Sequence, residues 1–319
     1  MFRPFGKAGA SIAAALISIL SPVRAEDTAC HLKRVAYLDI TQNNAGQPSI
    51  PVVINGISKP FFVDTAGYLT SVQQNAVAEL GLKTARSKEA VLYPAYGKKS
   101  ELTAFPDSFQ LGVIPISKIG LVVMPSGIHN DPNDAGSISG DILHIFDVEF
   151  DFAAAKFSLF LPNDCGDRVV HWTHDTYGVL PFTDAASTAD SASYIFEKRA
   201  EWHIVAPGKL DDADVDVTID TGSTVSFMTL EDARSILPPA QRTKLADQNV
   251  GNTLFKKLTL GEMTVNNPTI YVQQDKLGNA QRLGKLKPLL ILGMSALRQL
   301  HLYINYKDKK IYLTPASAH

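Results

Sequence analysis

The chain has little cysteine, little net charge and no long hydrophobic run. Two cysteines in 319 residues are too few for a cysteine-based zinc site, which uses four ligands. The formal charge is only −2 and the basic residues are not gathered into one run, so nothing indicates nucleic-acid binding. The apolar run Ser11–Leu20 is too short to span a bilayer with ease. What remains is a globular composition, 45% hydrophobic and 19% charged, of a length that predicts about two domains.

Residues 1–25 have the pattern of a secretory signal. Arg3 and Lys7 give a positively charged start, Ser11–Leu20 forms an apolar core, and Ala25 is a small residue at a plausible cleavage point. An uncleaved membrane anchor is the alternative interpretation. We expect an exported protein, periplasmic or secreted, whose mature chain begins after Ala25 and has no stable membrane insertion.

The two cysteines, Cys30 and Cys165, follow the predicted signal. An exported protein folds in an oxidising compartment, where a pair of cysteines forms a disulfide more readily than a metal site. The sequence therefore predicts a Cys30–Cys165 disulfide, with two unrelated buried thiols as the alternative.

One short motif occurs twice. Val215–Phe227 begins with alternating apolar residues, as in a half-buried strand, and runs into the turn Asp220–Ser223, with the letters DTGS. Residues 52–67 form a second apolar strand that runs into Asp64–Gly67, with the letters DTAG. Alone, either turn is an ordinary loop signal, because aspartate and glycine are common turn residues. The repetition at a separation of 156 positions, from Asp64 to Asp220, is what makes the motif informative.

The rest of the chain repeats with a similar separation, which indicates an internal duplication. Two units favour a pair of lobes related by a pseudo-twofold axis over a solenoid, which needs three or more repeats. The matched segments are Ser71–Leu80 with Thr229–Leu237, Leu111-Gly112 with Leu260-Gly261, Ile138-Ser139-Gly140 with Ile291-Leu292-Gly293, and Val148–Leu159 with Leu302–Leu313.

These segments together resemble the retropepsin-like aspartic proteases, with two such units in one chain. The resemblance covers roughly residues 50–160 and 203–315. It implies an all-β, bilobal acid-protease fold with two β-barrel-like lobes, related by a pseudo-twofold axis, and short helices. We predict a first lobe over residues 26–162, a linker over 163–200 and a second lobe over 201–319.

The resemblance also implies a site at the lobe interface, where Asp64 and Asp220 would form a catalytic pair. Two adjacent carboxylates share one proton, so one can act as a base and the other as an acid. Such a pair would activate water to hydrolyse a peptide bond without a metal or cofactor. Thr65 and Thr221 would interlock across the lobes, and Gly222 would permit close approach where the first turn has Ala66.

The two turns differ in their last residue, and this difference predicts an asymmetry. The Ser223 hydroxyl is placed to donate a hydrogen bond to the Asp220 carboxylate, whereas Gly67 in the matching position has no hydroxyl. Hydrogen bonds to the charged form lower a pKa. We therefore expect Asp220 to ionise before Asp64.

Two further segments are expected to close over the cleft as flaps. The resemblance places one flap tip at Tyr96-Gly97 and the second near Gly251, with an ordinary exposed hairpin as the alternative for the first. His171 and His174 are spaced for one helical turn, but without a third ligand we interpret them as surface residues and predict no metal site.

The leading function is therefore an aspartic endopeptidase with a peptide or protein substrate. A non-catalytic exported peptide-binding protein on the same fold is the alternative that Ala66 and Gly67 favour, and a structural or assembly partner is a third. Fusion of both lobes in one chain predicts a monomer.

Overall fold

A computed structural model describes residues 30–93, 98–125, 131, 133–184, 202–242, 255–274 and 287–316. The predicted signal over residues 1–25 lies outside this range. Strands dominate the described part of the chain, as the predicted all-β fold requires.

The first half of the chain contains thirteen strands and two short helices within the described residues. The strands are β1 (Arg34–Asp39), β2 (Thr41–Gln42), β3 (Pro48–Ile54), β4 (Ile57–Val63), β5 (Ser71–Gln73), β6 (Lys83–Tyr93), β7 (Lys98–Phe105), β8 (Phe109–Leu111), β9 (Ile114–Pro115), β10 (Leu121–Met124), β11 (Gly136–Ile138), β12 (Asp147–Asp151) and β13 (Lys156–Phe160). The helices are α1 (Ala76–Glu79) and α2 (Gly140–Leu143).

The second half adds eleven strands and three helices in the described ranges, after a 3-10 helix at Gly166–Val169. The strands are β14 (Gly178–Pro181), β15 (Thr183–Asp184), β16 (Ile204–Leu210), β17 (Ala213–Ile219), β18 (Phe227–Thr229), β19 (Lys257–Leu260), β20 (Met263–Asn266), β21 (Tyr271–Gln273), β22 (Leu289–Leu292), β23 (Leu300–Asn305) and β24 (Lys310–Pro315). The helices are α3 (Leu230–Ile236), α4 (Pro239–Arg242) and α5 (Met294–Leu297).

Each half forms one large sheet, and seven successive strands have the same order in both. In the first these are β10-β5-β11-β4-β3-β8-β9, with β6 and β7 added beyond β10, and in the second they are β21-β18-β22-β17-β16-β19-β20. The matched pairs also agree in direction: β4 is parallel to β11 as β17 is parallel to β22, and β5 is parallel to β10 as β18 is parallel to β21. This agreement confirms the internal duplication at the level of topology.

A third sheet takes strands from both halves. Its order is β1-β13-β12-β23-β24-β14, so the two halves meet where β12 pairs antiparallel with β23. The order reads the same from both ends, with a pseudo-twofold axis between the two central strands. This sheet joins the two larger sheets and holds their aspartate-bearing strands in a fixed relation.

Local sequence signals account for several connections. Asn55 and Gly56 both have positive φ, 51° and 81°, and form the two-residue turn between β3 and β4 that their types favour. Thr229 caps α3, since its hydroxyl accepts a hydrogen bond from the N–H of Asp232, and Pro238 follows the helix.

The alternation predicted for the second aspartate-bearing strand is present in its first part and ends at Thr218, which is fully buried. Val215, Val217 and Ile219 on β17 are fully buried in the core, while Asp214 on the opposite face is exposed. Full burial of such a side chain contributes roughly 1.5–3 kcal/mol. The strand is therefore well anchored up to the residue that precedes Asp220.

The predicted disulfide between Cys30 and Cys165 is present. It lies in a small cluster with Phe160, Tyr303 and Tyr312, against the sheet shared by both halves. Such a bond fits a protein of an oxidising compartment outside the cytoplasm. None of the helices in the described ranges has the length and apolar character of a membrane span.

Candidate active site

Asp64 follows the C-terminal end of β4, an interior strand of the first large sheet. Its N–H donates to the carbonyl of Ile138 on the neighbouring β11, at 2.9 Å. Its carboxylate folds back on its own turn, where Oδ1 accepts from the N–H groups of Ala66 at 3.1 Å and Gly67 at 2.8 Å. The turn therefore fixes the carboxylate with two backbone donors.

Asp220 occupies the same position in the second sheet, after β17. Its N–H donates to the carbonyl of Leu292 on β22, at 3.0 Å, and its carboxylate accepts from the N–H groups of Gly222 and Ser223. The backbone support of the two aspartates is thus the same in kind and number.

Crossed hydrogen bonds from Thr65 and Thr221 join the two turns. Each N–H donates to the hydroxyl of the other residue, at 3.1 Å in both directions. The Thr65 hydroxyl donates to the carbonyl of Ile219 at 2.7 Å, and the Thr221 hydroxyl donates to that of Val63 at 2.6 Å. Both side chains are fully buried, so the interlock predicted from the sequence is present and holds the two turns together.

The two carboxyl groups influence each other. Burial, followed by the negative charge of Asp64, raises the pKa of Asp220 to about 8. The N–H groups of Gly222 and Ser223 lower this pKa but do not outweigh the other two effects. The pair therefore holds a proton over a wide pH range, and the prediction that Asp220 ionises before Asp64 stays a prediction.

Comparison with known proteins bears on the fold. The chain is similar to basic 7S globulin from soybean, with 9% identity, a TM-score of 0.52, and coverage of 91% of this chain and 96% of that one. It is also similar to an aspartic proteinase from Irpex lacteus, with 14% identity, a TM-score of 0.51, and coverage of 88% and 97%. The chain has a bilobal, pepsin-like acid-protease fold.

This finding confirms the predicted fold class, while the finer resemblance to retropepsin-like units stays a prediction. No protein-family model and no curated protein matches the sequence. One structural neighbour is named as a proteinase and the other is not, and a fold by itself does not determine activity.

The Ser223 hydroxyl does not support Asp220 as the sequence predicts. It donates instead to the carbonyl of Val225, at 2.9 Å. A serine hydroxyl has one proton, and the turn presents it with a backbone carbonyl two residues ahead. The hydrogen bond on which the predicted asymmetry rested is therefore absent.

The structure aligns the segment at Ile138 with its repeat in a register that differs from the one the sequence predicted. Ile138 lies beside Val63, and Leu292 lies beside Ile219, so these two residues correspond. The match of Ile138 with Ile291 was wrong by one position. As a result Ser139, rather than Gly140, is the counterpart of Gly293.

The corrected register reveals an exchange of small residues. A Cβ on Gly67 would lie 2.5 Å from Ser139 Oγ and 2.6 Å from Asp64 Oδ2, so the first lobe requires a glycine in the turn. A Cβ on Gly293 would overlap the carbonyl oxygen of Val225 and lie 2.8 Å from that of Ser223, so the second lobe requires a glycine at position 293, on the segment opposite its turn. Sequence reasoning missed Ser139 because Gly140 beside it completed the expected letters.

Gly222 makes the close approach that the sequence predicts. A Cβ at this position would lie 2.6 Å from Asp64 Oδ1 and 2.7 Å from Asp64 Cγ, closer than real Cβ atoms come to other atoms. Ala66 occupies the matching position in the first turn. The two turns are therefore not interchangeable at this residue.

The predicted flap tips, Tyr96, Gly97 and Gly251, lie outside the described residues. The strands that flank the first tip are described: β6 and β7 pair antiparallel up to Tyr93 and Lys98.

No group of three or more histidine, cysteine, aspartate or glutamate residues in the described ranges is arranged to hold a metal ion. Both histidines considered in the sequence, His171 and His174, are exposed, as predicted, and His171 Nε2 lies 3.1 Å from the buried Glu149 carboxylate.

Sequence reasoning also missed two side chains that reach the turns. Gln47 Nε2 donates to the carbonyl of Gly222, and His203 Nδ1 lies 3.1 Å from the carbonyl of Ala66. Neither belongs to a recognised motif. The only signal is their separation in the sequence, which equals that of Asp64 and Asp220.

Proposed function

We propose that the protein is an aspartic-type endopeptidase in which Asp64 and Asp220 activate a water molecule to hydrolyse peptide bonds. The observation that carries this proposal is the crossed pair of threonines, which hold the aspartate turns so close that the charge of Asp64 raises the pKa of Asp220. A pair of carboxyl groups with one shared proton is what general acid–base hydrolysis requires.

The raised pKa of Asp220 supports the following assignment of roles within the pair. Asp220 keeps the proton and donates it to the carbonyl oxygen of the scissile bond. Asp64 is the ionised member and takes a proton from the attacking water, so that no metal and no covalent intermediate takes part. The N–H groups of Ala66 and Gly67 favour the charged form of Asp64, which suits a base.

Replacement of either aspartate tests the proposal. Asp64→Asn and Asp220→Asn keep the oxygen that accepts the turn's N–H groups, so both variants should fold. Each should reduce cleavage of an unfolded protein substrate by about 10³-fold or more, because general acid–base groups typically contribute 10²–10⁴-fold. Asp212→Asn, at an exposed site before β17, is the matched control. Full activity in either active-site variant would remove the pair from the mechanism.

A non-catalytic peptide-binding protein is the second candidate. Two observations favour it: Ser223 does not donate to Asp220, and Gly67 has no hydroxyl to offer Asp64. Mass spectrometry of a peptide library after incubation separates the two. Specific retention of intact peptides, with no new termini between pH 3 and 8, would support the binder.

We further propose that the protein acts outside the cytoplasm, as a monomer, on peptide or protein substrates. The disulfide and the signal-like N-terminus support export. Both aspartates belong to one chain, which removes the need for a second copy. Intact mass and sedimentation of exported material test the cleaved signal and the monomer.

A further inference from the structure

The two aspartate turns each receive a side chain from the opposite half of the molecule. Gln47, directly before β3 of the first sheet, donates to the carbonyl of Gly222 in the second turn. His203, directly before β16 of the second sheet, has Nδ1 3.1 Å from the carbonyl of Ala66 in the first turn. Both contacts therefore cross the lobe interface, in opposite directions.

The carbonyls that these side chains contact belong to the peptide units whose N–H groups donate to the two aspartates. The unit with the Ala66 carbonyl also carries the Gly67 N–H, which donates to Asp64 Oδ1 at 2.8 Å. The unit with the Gly222 carbonyl carries the Ser223 N–H, which donates to the Asp220 carboxylate. A hydrogen bond to one end of a peptide unit orients the other end and strengthens its donor through polarisation.

The arrangement obeys the pseudo-twofold symmetry. Gln47 and His203 are separated by 156 positions, as are Ala66 and Gly222. The two residues differ in type but share one feature, a side-chain N–H that reaches the equivalent carbonyl of the opposite turn. We infer that this N–H is what the position requires.

Neighbouring groups hold the Gln47 amide in this orientation. Gln47 is 5% exposed, and its Oε1 accepts from Asn43 Nδ2 at 2.8 Å. The same amide of Asn43 donates to the buried Asp134 carboxylate at 2.5 Å. With its oxygen occupied by a donor, the Gln47 amide directs its NH₂ group toward Gly222.

The His203 ring is fixed in a comparable way. It stacks on Tyr68, with ring centroids 5.2 Å apart, and its Nε2 lies 3.4 Å from the hydroxyl of Thr218. Because the Ala66 carbonyl can only accept, Nδ1 must carry the hydrogen, and Nε2 then accepts from the hydroxyl. The neighbouring Trp202 approaches so closely that a Cβ on Gly140 would lie 2.9 Å from its Cβ.

We propose that Gln47 and His203 are a symmetric pair of positioning residues, each of which crosses the lobe interface and orients the peptide unit that supports the opposite aspartate. This role rests on the proposed endopeptidase function, since the oriented units matter only if the two carboxylates react. The threonines hold the turns at the right distance, and Gln47 and His203 set the direction of the N–H groups within them.

Two substitutions remove the donors and keep the bulk: Gln47→Leu and His203→Phe. Each should lower kcat about tenfold or more with little change in KM, because misplacement of reacting groups by about 1 Å can cost on the order of 100-fold in rate. Gln110→Leu and His174→Phe make the same chemical changes at exposed positions and are the controls. They should leave both constants unchanged.

The rate–pH profile separates positioning from loss of structure. His203→Phe weakens the N–H bond to Asp64, so the acidic limb should move to higher pH. Gln47→Leu weakens the bond to Asp220, so the basic limb should move to higher pH. His203→Gln, which gives both lobes the same donor, should restore most of the activity. Unshifted limbs in both donorless variants, or equal activity in His203→Phe and His203→Gln, would overturn the proposal.

One measurement tests the pair without relying on catalysis. In the ¹⁵N-labelled full chain, the His203 ring, identified by its loss in His203→Gln, should give the Nδ1–H tautomer signature, which is the less common one in water. An Nε2–H tautomer would overturn the role of His203. If the wild type cleaves nothing, the proposed function fails, whereas activity retained in the donorless variants refutes the positioning role alone.

Discussion

The two aspartate turns have the same backbone and different side chains. In both, a strand end, two backbone N–H donors and a crossed threonine hold the carboxylate. The first turn then reads Ala66-Gly67 and faces Ser139, and the second reads Gly222-Ser223 and faces Gly293. The shared features are those that both carboxylates need. The differences lie at Gly222, which approaches the aspartate of the other lobe, and at the small residues that each turn faces within its own lobe.

The sheet shared by both halves likewise combines a symmetric backbone with different side chains. On the first half, β12 presents acids, and on the second, β23 presents their donors. Glu149 accepts from His301 Nε2 at 3.0 Å, and Asp147 accepts from the Tyr303 hydroxyl at 3.0 Å. Symmetry of the backbone is therefore combined with complementarity of the side chains, which ties the two halves to each other.

A substitution that makes the two turns alike at Gly222 should have the largest effect on activity. Gly222→Ala gives the second turn the residue of the first, and the new methyl would lie 2.6 Å from Asp64 Oδ1. Because Asp64 must move, we expect cleavage to fall by about 10²-fold while the melting temperature changes little. The reverse change, Ala66→Gly, adds no atom and should be nearly neutral. Equal activities in the two variants would show that the turns are interchangeable.

Much of this comparison was accessible from the sequence. Asp64, Asp220 and the two threonines belong to a repeated motif whose spacing identifies them, and the fold is implied by the family resemblance that this motif carries. The register at Ser139 was not accessible, because the letters match better in the wrong register, one residue away, and only strand pairing decides. Gln47 and His203 were missed because their types differ, so no motif connects them.

Exchange of the small residues gives the next largest effect. Gly67→Ser alone should destabilise the protein by about 1–3 kcal/mol, because its Cβ would lie 2.5 Å from Ser139 Oγ. The double variant Gly67→Ser/Ser139→Gly removes the contact with Ser139 but leaves the new Cβ 2.6 Å from Asp64 Oδ2, so it should recover only part of that loss. Denaturant titration of both variants and of Ser139→Gly measures the coupling. Additive effects would contradict the exchange.

The two acids of β12, Asp147 and Glu149, should make stability depend on pH in opposite directions. Burial, then the charge of Asp308, raises the pKa of Asp147 to about 7, although Tyr303 and Asn163 donate to its carboxylate. Its stabilising contribution is thus fully present below its ordinary value near 3.8 and is lost as the pH rises through about 7. Asp147 Oδ1 has no hydrogen-bond partner among the described residues.

Asp147→Asn should therefore raise stability at pH 8 by about 1–3 kcal/mol, with a gain that shrinks toward pH 4. Glu149→Gln is the contrasting variant. Burial would raise the pKa of Glu149, but hydrogen bonds from His171 and His301, with their charges, lower it to about 2. Its stabilisation is present above its ordinary value of 4.5 and is lost as the pH falls toward 2. Thermal melts across pH should show opposite trends for the two variants.

The smallest effect is expected at Ser223. Its hydroxyl donates to the carbonyl of Val225, whereas the Asp220 carboxylate is supported by the N–H groups of Gly222 and Ser223. Ser223→Ala keeps both N–H donors, because alanine has the same backbone, and removes only a bond within the turn. Such a bond contributes about 0.5–1.5 kcal/mol to stability. The melting temperature should fall slightly.

The rate–pH profile of Ser223→Ala should stay where it is, since neither carboxyl loses a hydrogen bond. In the first turn the Asp64 carboxylate accepts from the N–H groups of Ala66, at 3.1 Å, and of Gly67, at 2.8 Å, and Gly67 has no hydroxyl in the position of Ser223. Ser223→Ala makes the second turn the same in this respect. A shift of the basic limb to higher pH would mean that the Ser223 hydroxyl turns to Asp220 in the working enzyme. The two carboxylates would then be alike only in their backbone donors.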